Sequence, residues 1–119
     1  MKQMTLSECK EQIDQDPANW SRYLMSFVDE FRRTRELRLL AAPFANDGSR
    51  MSAILAATAE QLCFETKLAT PFWIQQIKAC DKPWFVSGME NLKAIALVES
   101  PLPFRLRKIF VLENFLARI

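Results

Sequence analysis

The side chains that could do chemistry in this 119-residue chain are a few carboxylates, three thiols and two arginine clusters. Glu60 and Glu65 fall on one predicted helix. Five residues apart is about 140° round the axis, so they share no face on which to work as a general acid–base pair. Two solvated or capping carboxylates are the expectation, and Glu99 is expected to anchor Arg105 or Arg107 in a structural ion pair. No histidine occurs anywhere, which excludes histidine triads, histidine-ligated zinc and imidazole proton transfer. No glycine-rich phosphate loop, Gly-x-Ser-x-Gly or Cys-x-x-Cys is present. Cys9, Cys63 and Cys80 are odd in number and widely spaced, which reads as reduced intracellular thiols rather than a disulfide or metal site. The residues therefore point away from an enzyme, a cofactor or a metal. An enzyme working through carboxylates and lysines alone is the least favoured reading.

The arginines suit binding better. Arg32, Arg35 and Arg38 recur at three-residue spacing, so on a continuous helix their guanidinia would line one edge that could meet phosphates. Asp29, Glu30 and Glu36 are interleaved and weaken that field. The second cluster is Arg105, Arg107 and Lys108, beside Phe104 and Phe110, with no acidic residue between Glu99 and Glu113. Arginine next to aromatics suits protein interfaces as well as phosphate. Trp84 and Phe85 follow Pro83 in a loop, where they can plug the core or anchor a partner. Ala59–Pro71 has helix-turn-helix spacing but no DNA-reading signature after the turn.

The elements that must position these groups are helical. Half the residues are apolar, a quarter are charged and the net charge is +2, as in one soluble globular domain over residues 1–119 with a core of its own. No apolar run approaches the ~20 residues of a membrane span, and the first twelve residues lack a signal-peptide apolar region, so a cytoplasmic location is expected. Thr5 and Glu8 have capping-box spacing at the head of a helix from about Leu6 to Gln15. Asp16–Pro17 caps a second helix, whose stripe runs through Trp20, Tyr23, Leu24, Phe27, Val28 and Phe31 and continues through Leu37 and Leu40. Asn46-Asp47-Gly48 marks a turn before a third helix from about Ser49 to Thr66.

A short helix begins after Thr70-Pro71, and Ser87 caps another from about Gly88 to Glu99, with Leu92, Ile95, Ala96 and Val98 as its apolar positions. After Pro101 the pattern is mixed. Ile109–Val111 is β-prone but has no evident partner run, so the expectation is a short helix or turn, an extended stretch and a last helix from about Leu112. The fold class is thus all-α, a single compact bundle of about five or six helices. Its C-terminal region is irregular, with Pro83–Val111 folded over one end of the pair formed by the second and third helices.

The stretches Asp81-Lys82-Pro83-Trp84-Phe85, Ala96-Leu97-Val98-Glu99-Ser100-Pro101 and Phe104-Arg105-Leu106-Arg107-Lys108-Ile109-Phe110-Val111 resemble a bacterial family of largely uncharacterised proteins. Ala59–Leu62, Glu65, Leu68, Pro71 and Trp73 are similar to the same family, so the likeness covers about residues 50–118. Its members are often attached to, or encoded beside, helix-turn-helix regulators, and some lie near nucleotidyltransferase-like toxins. The resemblance implies an antitoxin or regulatory partner. Lys108 stands where the family carries glycine at a sharp turn, and Phe64 stands where histidine is common.

The leading expectation is a non-enzymatic protein-interaction module that binds a protein partner through Trp84, Phe85, Arg105, Arg107 and Lys108. The alternative is a nucleic-acid-binding regulator that uses the Arg32, Arg35 and Arg38 edge. Thirteen aromatic residues leave room for an exposed apolar patch and a homodimer under either reading.

Overall fold

A computed structural model describes residues 4–117. Helix α1, Leu6–Gln15, opens on the capping box: Glu8 N–H donates to Thr5 Oγ1 and Thr5 N–H to Glu8 Oε1, both at 3.1 Å. It buries Leu6, Cys9 and Ile13. Asp16 makes no cap. A 3₁₀ turn, Pro17–Asn19, intervenes, and α2 runs Trp20–Thr34, burying Leu24, Phe27, Val28 and Phe31. The Asp16 carboxylate instead accepts from Asn19 and from the Tyr23 hydroxyl, and these bonds hold its pKa below the usual range.

The expected continuation of α2 through Leu40 does not occur. Arg35 turns left-handed at φ 54° and a separate 3₁₀ turn covers Leu37–Leu40, burying Leu39 and Leu40. With two glycines in the chain, basic residues take this role: Arg35 and Lys67 close α2 and α3 at positions that glycine usually fills.

Helix α3, Arg50–Thr66, is capped by Ser49, which accepts from Ser52 N–H at 3.1 Å. It is the hub, packing against α1 and α2 on one side and against α4 (Phe72–Gln75) and α6 (Leu102–Leu106) on the other. Every residue from Ser52 to Ala59 is buried, and the small side chains of Ala53, Ala56, Ala57 and Ala59 let those neighbours approach closely. One hydrophobic cluster extends from Leu6 through these helices to Phe104, Ile109 and Leu116.

Helix α5 is shorter than expected, Lys93–Glu99, after a 3₁₀ turn at Glu90–Leu92. The β-prone run does find a partner. Strands β1, Trp84–Phe85, and β2, Ile109–Phe110, pair in parallel, with Trp84 opposite Ile109 and Phe85 opposite Phe110. Trp84 N–H donates to Lys108 O at 2.8 Å and Val86 N–H to Phe110 O at 3.1 Å. The pairing escapes local pattern reading because its two halves are separated by α5 and α6. No helix forms over 112–117, where the chain makes a turn; Ile119 lies outside the described residues. The architecture is thus a mostly α-helical bundle with six α-helices among the described residues and a minimal strand pair.

The sharp turn before Ile109 is present at Lys108, φ 62°. A side chain there costs about 1–2 kcal/mol of left-handed strain, against which glycine gives back under 1 kcal/mol of extra backbone entropy. Lys108→Gly is expected to raise stability by about 0.5–1 kcal/mol, read as a higher urea midpoint at unchanged slope.

Candidate partner-binding surface

The strand pair brings Trp84 and Phe85 together with Phe110, and sets a cation against each of the first two. Phe85 and Phe110, opposite in register, stack at 5.0 Å between centroids, and the Lys93 ammonium lies 5.2 Å from the Phe85 ring. The Trp84 ring packs against Trp20 at 5.5 Å and carries the Arg50 guanidinium 4.7 Å above its centroid. Trp84 and Phe85 are half-buried, so each serves the fold while keeping an accessible edge.

The three cations expected beside them separate. Arg105 and Lys108 are exposed, and no carboxylate lies within ion-pair distance of either among the described residues. Arg107 is buried, 5% exposed. Its Nη2 donates to Glu60 Oε1 at 3.0 Å and to Ile74 O at 2.9 Å, and its Nη1 donates to Pro103 O at 3.2 Å. Arg107 therefore ties α3, α4 and α6 together and is no part of an accessible surface. Glu99 does not pair with Arg105 or Arg107 as expected. Its carboxylate accepts from Glu113 N–H at 3.0 Å.

The Arg32, Arg35 and Arg38 edge is not assembled, because the continuous helix it needs ends at Thr34. Arg32 donates through Nη2 and Nε to both oxygens of Glu65, at 2.9 and 3.2 Å, and through Nη1 to Leu116 O at 2.5 Å. Arg38 pairs with Glu36, and Arg35 closes the helix with no carboxylate within ion-pair distance among the described residues. Glu60 and Glu65, expected as solvated or capping carboxylates, are thus both arginine partners.

The residues missed from the sequence lie on α5 and α6. Ile95 and Val98, assigned to the apolar side of their helix, are 46% and 79% exposed, with Leu97, Leu102 and Leu106 at 47%, 54% and 63%. Only Ala96 of α5 is buried. Lys93-Ala94-Ile95-Ala96-Leu97-Val98-Glu99 is apolar on every side between its two charges, so a short helix lying on the surface must present apolar residues to solvent. On α6, Leu102 and Leu106 share a face with Arg105 beside them. A groove of about 550 Å³ borders α5, lined by Leu92, Ile95, Leu112 and Ala117 with Glu99 and Glu113.

Ser100 fixes this unit to the body. Its buried hydroxyl accepts from Val111 N–H at 2.8 Å and lies 2.5 Å from Ala96 O. The three thiols are free and buried; burial pushes Cys9 up to about 12 and raises Cys63 and Cys80. Among the described residues no group of three His, Cys, Asp or Glu side chains could hold a metal ion, and no helix is long and apolar enough to cross a membrane. Comparison with family models, curated proteins and solved structures found no match for the chain.

Proposed function

We propose that this protein is a non-enzymatic protein-interaction module, and that its docking surface is the exposed face of α5 and α6. The observation that carries this reading is that α5 is apolar all round yet buries one residue. Side chains of this type are ordinarily covered, and an apolar surface bordered by polar groups is how a docking face differs from scattered exposed leucines. Arg105 lies on α6 beside Leu102 and Leu106 with no carboxylate within ion-pair distance among the described residues, so the partner is a protein segment that presents an apolar ridge flanked by carboxylates. Phe85 and Phe110 stiffen the support behind α5. Such a module suits an antitoxin or a regulatory subunit, the role that the family resemblance implies. Its three buried, unpaired thiols suit the reducing cytoplasm.

The test is affinity capture from the native cell with three chains: the unmodified protein, Val98→Glu with Leu106→Glu, and Arg105→Glu. Both altered helices keep their buried contacts, so the fold is expected to hold within about 0.5 kcal/mol per exposed change. A stoichiometric protein retained by the unmodified chain is expected to drop at least tenfold with the Val98/Leu106 pair and several-fold with Arg105→Glu. A partner held equally by all three chains excludes this face. Self-association lost in Val98→Glu, followed by sedimentation velocity, replaces the heterologous partner with a second copy.

A further inference from the structure

The cations of this protein fall into two groups. Lys10, Arg32, Arg33, Arg38, Lys93 and Arg107 each pair with a carboxylate. Arg22, Arg35, Arg50, Lys67, Lys78, Lys82, Arg105 and Lys108 have none within ion-pair distance among the described residues, and all eight are exposed. Paired cations are neutralised where they stand, whereas unpaired ones sum to a field that attracts anions.

Two of the unpaired cations, Arg50 and Lys82, line one cleft, and Lys78 and Lys108 lie on segments bonded close to it. Gly48, Arg50, Cys80, Asp81, Lys82, Pro83 and Trp84 line a cavity of about 480 Å³. Cys80 N–H donates to Arg107 O at 3.0 Å and Trp84 N–H to Lys108 O at 2.8 Å, so the segment that bears Lys82 runs directly beside Lys108. Burial raises the Cys80 thiol at the cleft, Arg50 and Lys108 draw it down, and Asp81 pushes it up. Asn46, two residues before Gly48 of the cleft, is stapled to the segment that bears Lys78: its Nδ2 donates to Gln76 O and its Oδ1 accepts from Lys78 N–H, each at 3.1 Å. The nearby acids are Asp81, on the rim, and Asp47, whose carboxylate already accepts from Ser49 N–H and the Ser52 hydroxyl and faces Lys10 at 3.6 Å. The balance around the cleft is positive.

Trp84 supplies the second element. Its ring holds the exposed Arg50 guanidinium at 4.7 Å, and Trp20 supports the ring from another side at 5.5 Å. An exposed guanidinium held by an aromatic ring offers a flat group on which a base can stack, and such stacks next to lysines are how single strands are held.

We infer that this cleft binds the phosphates of a single-stranded nucleic acid or nucleotide. The backbone phosphates lie along Lys78, Lys82 and Lys108, and a base stacks on Arg50. This surface is separate from the α5 and α6 face and stands without it.

The probe is a fluorescein-labelled oligothymidylate titrated by anisotropy, with ATP, a DNA duplex and poly-glutamate as competitors. With three phosphates engaged, raising salt from about 50 to about 200 mM is expected to weaken binding about twentyfold. Lys82→Gln with Lys108→Asn is expected to weaken it about tenfold at the lower salt and to flatten the salt dependence, because asparagine tolerates the left-handed backbone at 108. Arg50→Gln, which removes the stacking plane at an exposed position, is the second variant. Val98→Glu is expected to leave the titration unchanged, which separates failure of this cleft from failure of the apolar face. Competition by ATP as strong as by unlabelled oligothymidylate identifies a free nucleotide as the source of the phosphate, and weaker competition identifies the polymer. No binding at about 50 mM salt overturns the inference. So does equal competition by poly-glutamate, which would make the cleft a seat for acidic protein, or binding unchanged in both variants.

Discussion

Arg107→Met is expected to lower the unfolding free energy by about 3 kcal/mol. The change keeps much of the side-chain volume but leaves the largely buried Glu60 carboxylate without its cation, and the Ile74 and Pro103 carbonyls without their donor. Breaking such a pair from one side is far worse than replacing both members. Arg107→Met combined with Glu60→Leu is therefore expected to recover most of the loss. Urea unfolding of the two single variants and the double variant measures this as a coupling between the sites. A loss below about 1 kcal/mol for Arg107→Met would mean that the guanidinium is solvated and accessible, and would return Arg107 to the partner-binding surface.

Ser100→Val is expected to cost about 2 kcal/mol, since it leaves the Val111 N–H buried without an acceptor and puts an apolar group against the Ala96 carbonyl. Ser100→Thr retains the hydroxyl and should be milder. Amide exchange separates local from global effects: Val111 N–H is expected to lose protection in the valine variant before the amides of α3 do. If both change together, α5 and the strand pair unfold with the core as one cooperative unit.

The N-terminal half was legible in the sequence wherever the signal was local. Thr5 with Glu8 and Ser49 before Arg50 mark helix starts through their own side chains, and the apolar spacing from Trp20 to Phe31 marks a buried stripe. Helix ends were harder. Arg35 adopts a left-handed conformation without being glycine, so nothing at that position announces the end of α2. That single conformation separates Arg32 from Arg35 and Arg38. The strand pair was illegible because its two halves, each two residues long, gain their hydrogen bonds from a segment distant in sequence.

At the candidate surface, residue type identified the aromatic and basic groups, but burial depends on what lies across from each side chain. Arg105 and Arg107 are indistinguishable in the sequence, and it is the position of Glu60 on α3 that takes Arg107 into the interior. The apolar residues of α5 read as core for the same reason, since period and composition do not reveal which helix will lack a neighbour.

The parallel pairing of Trp84–Phe85 with Ile109–Phe110 also orders assembly in time. Helices α1 and α2 are joined by residues 16–19 and α2 and α3 by residues 35–49, both shorter than the 86–108 connection between the strands. The strands must close a loop that carries α5 and α6, and its entropy is lost before any hydrogen bond forms. Contacts of high sequence separation form slowly. The N-terminal helices can therefore collapse first and offer a template on which the last third of the chain condenses. A nascent chain would expose the apolar α5 segment until the strands close, which makes that interval the one most open to capture by another molecule.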